Sequence, residues 1–412
     1  MIVRKFMQWA VAAPAAERAE GAGQLARAYL YADLDPADKC EAEVALTALL
    51  DDPAPIVRKA MAEAFAAAEG APPSIVVALA NDQSDVAAPV LGRSPLLSEG
   101  DLIDCAAIGD AFAQAAIALR AHVGAPLAAA LAEVGAREAL IALAVNPQAD
   151  IPAFSLRRMV ERFGADGEVR EALLSRPELP ASVRSDLVAA TAAALKDFVV
   201  GCAWLSPERA DRVMREAADK AHVMIAADVE RARDWRGARE LAAHLRAAQR
   251  LTPGLALRAV LSGDTYLFEA ALVELSGLPE AKALGLARDA RGTGFAALYA
   301  RAGLPAKLLP AFQAALAARR LRAEGDGAKL SRPMIARVME IATRDPGLAA
   351  LAAMLRRLDA EAAREDAREA AKFIFVAQSQ APVVVAIDQT AFGAAPRLIT
   401  IDLAAIEAEL AA

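Results

Sequence analysis

Leu46-Thr47-Ala48-Leu49-Leu50-Asp51-Asp52-Pro53-Ala54-Pro55-Ile56-Val57-Arg58-Lys59-Ala60-Met61-Ala62-Glu63-Ala64-Phe65 is the stretch that decides the fold. One apolar run stops at two acids and two prolines, and a second begins within a few residues. Asp52 is placed to cap a helix that Pro53 opens, because a carboxylate accepts first-turn amides and proline has no amide to lose. Ile56, Ala60 and Ala64, with Val57, Met61 and Phe65, recur at helical spacing and predict a core stripe, with Arg58 and Lys59 on the outer face.

The layout recurs in degenerate form. Leu79-Ala80-Asn81-Asp82 precedes Val86-Ala87-Ala88-Pro89-Val90-Leu91, and Leu143-Ala144-Val145-Asn146-Pro147 precedes Ile151 to Phe163. Leu173-Leu174-Ser175-Arg176-Pro177 precedes Val183-Arg184-Ser185-Asp186-Leu187, and a weaker copy spans Asp110 to Leu119. Units repeating every roughly 25 to 35 residues are too small to bury their own apolar face and must stack on their neighbours. The expected fold is therefore all-α: a HEAT-like α-solenoid of short helix pairs over residues 1–195. The competing reading is an irregular helical bundle whose Asp-Pro corners coincide. Proline usage agrees with many short helices, since more than half of the 22 prolines precede residue 190.

The run Leu46 to Pro53, with Ile75 to Ala80, Asp82, Val86 to Leu91 and Ser94-Pro95-Leu96-Leu97, resembles a bacterial family known as domain of unknown function 2336. The resemblance covers roughly residues 1 to 320 and implies an alphaproteobacterial, HEAT-like helical repeat protein. Its motifs are structural corners, so it implies no catalytic or binding residue.

Composition supports helices. Of 412 residues 56% are hydrophobic but only 5% aromatic, and Ala, the best helix former, is by far the commonest residue. An all-β sandwich or barrel is excluded. The net charge of -7 offers no concentrated basic surface for phosphates. The densest basic block, Arg319-Arg320-Leu321-Arg322, runs straight into Glu324 and Asp326, so no nucleic-acid partner is expected. Cys40, Cys105 and Cys202 are too far apart for a disulfide frame or zinc site and read as buried apolar side chains in a reducing compartment. His122, His222 and His244 show no ligand spacing. No apolar stretch reaches the length of a membrane span. The start, Met1 to Lys5 followed by Phe6 to Ala16, faintly resembles a signal peptide, but it continues into the helical pattern Leu25 to Leu30. A cytoplasmic protein is expected.

The second half is punctuated differently, and residues 205–372 read as a second helical region. Ser206-Pro207-Glu208 is a strong helix start, and Val213, Ala217, Ala221 and Met224 continue one face. Arg236-Gly237 is expected to split that run into two antiparallel helices. Ala270-Ala271-Leu272 leads to Ser276-Gly277-Leu278-Pro279, and Ala296-Ala297-Leu298 leads to Ala302-Gly303-Leu304-Pro305. This is a helix-turn-helix repeat in which Gly ends one helix and Pro opens the next. Glu361/Arg364, Glu365/Arg368 and Glu369/Lys372 predict side-chain pairs along an exposed helix. Residues 373–412 read as a small β-hairpin plus a terminal helix from about Leu403, since Phe373 to Val376, Val383 to Ile387 and Leu398 to Ile401 are rich in strand formers. Strand pairing between copies gives a route to a homodimer through this segment.

Catalytic constellations are not legible. There is no Gly-x-Ser-x-Gly elbow, and Arg291-Gly292-Thr293-Gly294 lacks the strand and lysine of a phosphate loop. Asp51/Asp52 and Glu365/Asp366 adjoin in sequence without converging. Trp9, Trp204 and Trp235 read as core. No catalytic, cofactor-binding or metal residue is assigned, no cofactor is implied, and the expected partner is another protein. The expected function is a non-enzymatic interaction scaffold or regulatory adaptor. The alternative is an enzyme or small-ligand receptor with a pocket between the two helical halves.

Overall fold

The computed structural model describes residues 2–320, 329–379, 383–387 and 397–401, with side chains described for residues 6, 8–320 and 329–371. It divides into two compact units, Met1–Ile225 and Ala226–Ala412.

The first unit opens with α1 (Ile2–Ala12), α2 (Ala15–Tyr31), α3 (Pro36–Leu49), α4 (Pro55–Phe65), α5 (Pro73–Ala80), α6 (Ser84–Arg93) and α7 (Glu99–Ile108). It continues with α8 (Ala111–Ala118), α9 (Ala125–Val134), α10 (Arg137–Val145), α11 (Ala153–Phe163), α12 (Gly167–Leu174) and α13 (Ala181–Gly201). The division falls within α14 (Pro207–Arg231). Even-numbered helices pack in series, α2 on α4, α4 on α6, and so on to α12, while α7, α9, α11 and α13 form a second series. One core cluster runs from Ala19 to Leu187. It includes Leu46, Met61, Phe65, Leu79, Ile117, Leu131 and Leu143, all fully buried.

Corners form as side-chain chemistry dictates. Asp35 caps α3 through the Asp38 amide at 2.8 Å, with Pro36 at the first position. Ser98 and Asp101 form a reciprocal capping box at α7. Asp110 and Asp166 cap α8 and α12, each accepting two amides. The weaker middle copy is thus a properly capped helix.

The deciding corner departs from expectation. α4 starts at Pro55 rather than Pro53, and the Asp52 carboxylate accepts the Ala54 amide at 2.9 Å while pairing with Arg18 at 2.8 Å. The core stripe is Val57, Met61 and Phe65; Ile56 is 54% exposed. Arg58 does not face open solvent. Its guanidinium grips Asp82, Nη2 to Oδ1 2.9 Å, and so ties this corner to the next. Similar ties recur: Arg137 to Asp166 at 2.7 Å, Asn146 Nδ2 to the Ala118 and Arg120 carbonyls at 2.8 Å, and Arg176 to the Ala149 carbonyl at 2.9 Å.

The second unit holds α15 (Trp235–Ala247), α16 (Pro253–Leu261), α17 (Tyr266–Ser276), α18 (Glu280–Ala287), α19 (Thr293–Arg301), α20 (Leu309–Arg319), α21 (Arg332–Arg344) and α22 (Ala349–Ser379). Phe268, Phe295, Tyr299 and Phe312 cluster in its core, with Phe268 stacked on Phe312 at 5.2 Å. Burial pushes the Tyr299 hydroxyl up to about 12. Gly277 and Gly303 take φ of 63° and 70°, the left-handed geometry that ends each repeat helix. The helix break expected at Arg236-Gly237 lies slightly earlier, at Ala232 to Asp234, where Arg233 has φ 55°. Asp234 then caps α15 through the Gly237 amide at 2.9 Å.

Two further expectations change here. Phe373 to Val376 belong to α22. They follow a run of strong helix formers without a breaker, and extending a helix is far easier than starting a strand. The acids of α22 reach other elements: Glu361 to Arg258 at 2.6 Å, Asp366 to Lys329 at 3.0 Å and Asp359 to Arg332 at 3.1 Å. The strands β1 (Val383–Ile387) and β2 (Arg397–Ile401) pair antiparallel, with Val383 opposite Ile401 and Ile387 opposite Arg397. The terminal helix expected from Leu403 lies outside the described residues.

Candidate functional site

An apolar groove lies between α13 and α14 in the first unit. α13 follows Pro180, and α14 starts at Pro207, where Ser206 Oγ accepts the Arg209 amide at 3.4 Å. Two contacts tie the helices together. Ser185 Oγ and His222 Nε2 lie 3.0 Å apart in a buried contact, and Lys196 Nζ sits 2.7 Å from Asp211 Oδ1. That ion pair raises the Lys196 pKa.

Above these ties the groove encloses about 370 Å³. Leu187, Val188, Thr191, Ala192 and Leu195 line one side, and Met214, Ala217, Ala218, Ala221 and Met224 the other. Its polar lining is limited to Arg184 and the Thr191 hydroxyl, which donates to the Leu187 carbonyl at 2.7 Å. Leu195 is 48% and Met224 51% exposed, so large apolar side chains meet solvent along both walls. At its α13 end Phe198 stands edge-on to Trp204, ring centroids 5.5 Å apart, and both are exposed. Of the face read from Val213, Ala217, Ala221 and Met224, the last three form this open wall, and Met214 rather than Val213 completes it.

Other singled-out residues do not converge. Cys105 is buried, and burial, then Asp101 and Asp104, push its thiol up, away from reactivity. Cys40 and Cys202 are exposed, against the expectation of three buried thiols. Trp9 and Trp204 are likewise exposed at 41% and 68%, against the reading of both as core, although the Trp9 ring lies against Gly21 of α2. Trp235 alone of the three is largely enclosed, edge-on to Tyr266 at 5.6 Å. Arg291-Gly292-Thr293-Gly294 forms the start of α19. Arg319 donates to the Gly263 carbonyl at 2.8 Å, while Leu321 to Asp326 fall outside the described residues.

In the second unit, sequence reasoning missed a carboxyl cluster. Asp264, at the corner before α17, is 1% exposed; its Oδ1 accepts the Leu267 amide at 3.2 Å. Burial, then the charge of Glu230, hold the Asp264 carboxyl well above the usual aspartate range. Glu269 is raised too, by burial first and then by Glu230, against a downward pull from Arg288. No sequence spacing could reveal this convergence. Among the described residues no group of three His, Cys, Asp or Glu could hold a metal ion, and no helix is long and apolar enough to cross a membrane.

Comparison with known families returns one match. The family described as uncharacterised proteins conserved in bacteria, DUF2336, matches residues 86–326, more than half of the chain. The match starts at Val86, so Leu46 to Pro53 and Ile75 to Ala80 lie before it. No curated protein and no solved structure matches the chain.

Proposed function

We propose that this chain, which belongs to the DUF2336 family, works without catalysis as a protein-binding adaptor built on a HEAT-like solenoid. The two helix series of the first unit, each helix packed on the next but one, support the solenoid reading. The observation that carries the binding reading is the α13–α14 groove. Apolar side chains as large as Leu195 and Met224 stay half exposed along a shaped trough, which costs solvation unless a partner covers them. The partner is a segment of another protein seated in that trough. An enzyme or small-ligand receptor would want several convergent polar groups, and this lining offers one guanidinium and one satisfied hydroxyl. The reading places the protein in the cytoplasm, in keeping with three free cysteines. Association of two copies through residues 373–412 belongs to the same proposal, since a two-stranded sheet leaves two edges to pair.

A photo-crosslinking side chain at position 221 of the full chain, introduced in the native host, tests it. Discrete protein adducts that vanish in a Leu195→Asp background are expected. Absence of any protein adduct, or adducts equally strong from a photo-crosslinker placed at exposed position 69, would refute groove binding.

A further inference from the structure

Resting on that reading, we infer that the groove takes one amphipathic α-helix, bearing an apolar stripe at alternating steps of three and four residues, laid along α13 and α14. Three observations lead there. First, both walls carry the same rhythm. Arg184, Val188, Thr191, Leu195 and Phe198 on α13 follow steps of four and three, and Met214, Ala217, Ala221 and Met224 on α14 follow steps of three and four. Only the first and the central residue of the α13 series are polar. That spacing keeps a seam facing a neighbouring helix over successive turns, whereas an extended peptide would meet pockets at a period of two.

Second, the groove continues an interface already built. α13 packs on α11, with Ala190 against the Gly164 corner, and its groove stripe lies on a different side from Ala190. Every earlier helix of that series from α7 onward is covered by the next one. α13 ends that series within the first unit, and its groove stripe stays exposed at Leu195 and Phe198.

Third, shape chooses between a single helix and a second copy. The middle of the trough is small (Thr191, Ala192, Ala217, Ala218 and Ala221), and its ends are large (Leu195, Met214 and Met224). Two such troughs set face to face leave a void between their alanines, while one convex helix of about 10 Å diameter brings its own leucines into those hollows. The α13 stripe from Arg184 to Phe198 runs about 20 Å, the length of roughly four helical turns.

The test uses the full chain and two fluorescent peptides of identical composition. One places leucines at the three-four rhythm over about four turns, and the other places them at every second residue. Anisotropy should show the helical peptide binding at least about tenfold tighter, with helicity rising on binding, a difference of about 1.4 kcal/mol. Ala221→Phe, which fills the floor at a half-buried site, and Leu195→Asp, at an exposed one, should each weaken it at least about tenfold without moving the thermal transition. Equal binding of both peptides, or tighter binding of the alternating one, overturns the helix while leaving a protein-binding groove. A helical peptide that ignores both substitutions overturns the location. Sedimentation showing a dimer that Ala221→Phe dissociates would assign the groove to a second copy and overturn the inference. If neither peptide binds and position 221 gives no protein adduct in the host, the adaptor reading falls as well.

Discussion

Replacing Asp264 with Asn probes how the second unit tolerates buried charge. Asp264 is buried, and burial, followed by the Glu230 charge and a side-chain hydrogen bond with Glu230, raises the carboxyl pKa well above normal. The groups around it are Glu230 at the end of α14, which accepts from Thr265 Oγ1 at 3.3 Å, Glu269 on α17, and Arg288, whose charge reaches Glu269. Arg319 is held at the adjacent Gly263 carbonyl. The folded protein therefore keeps a proton at pH values where the unfolded chain has released it. Its stabilisation is complete below the unfolded pKa and is lost as pH rises through the folded one. Inside that window one retained proton sets a slope of about 1.4 kcal/mol per pH unit, so two units of pH cost about 2.7 kcal/mol. Asn has the same shape and cannot ionise, so the variant should lose that slope and overtake the parent at the alkaline side. A Trp9→Phe/Trp204→Phe background leaves Trp235, edge-on to Tyr266, as the sole tryptophan reporter of this unit. Urea unfolding followed at its emission from about pH 4 to about pH 8 gives the slope directly. Parallel slopes in parent and variant would refute the reasoning.

Other substitutions bear on the remaining framework. Phe65→Ala removes a fully buried ring that stands edge-on to Tyr29 at 6.4 Å and should cost the first unit about 3–5 kcal/mol in urea unfolding; a loss under about 1 kcal/mol would contradict the packing. Gly277→Ala and Gly303→Ala meet no atom within 4 Å, so each should cost about 1–2 kcal/mol through backbone geometry alone. Gly285→Ala, equally open but inside α18 with ordinary φ, should gain up to about 1 kcal/mol, and a shared sign across the three would defeat this account. A double-mutant cycle of Arg58→Met and Asp82→Asn should return a coupling of about 1–2 kcal/mol, as both partners are largely covered. Arg58 holds the Asp82 pKa low, so the coupling should persist at neutral pH and fade as acid protonates Asp82; a pH-independent value counts against it.

The sequence carried the helical punctuation well and the neighbours of each helix poorly. Gly277 and Gly303 act as their repeat announced, since a left-handed residue is a local demand that one position can satisfy. At α4 the periodicity offered two adjacent stripes, Ile56/Ala60/Ala64 and Val57/Met61/Phe65, and local spacing cannot choose between them. Close packing of α2 decides: a Cβ on Gly23 would lie 3.7 Å from the Ala60 carbonyl, which leaves Ile56 outside. Arg58 looked solvated because its partner, Asp82, belongs to the next corner. The wall on α14 was visible as a face, and the rhythm from Arg184 to Phe198 was the available signal for its counterpart. Asp264 left no signal at all, because Glu230 and Glu269 come to it only through folding.

The bridges between corners also decide where this protein can be divided. Asp52 serves Arg18 behind it and Ala54 ahead, Asn146 reaches back to the turn after α8, and Arg176 reaches back to the turn after α10. A chimera joined at a loop would separate those donors from their acceptors and strand buried polar groups on both fragments. A junction midway along α9, α10 or α11 would do the same, because each bridge spans a full helix pair, so the transplantable module has to carry both ends of every bridge it contains.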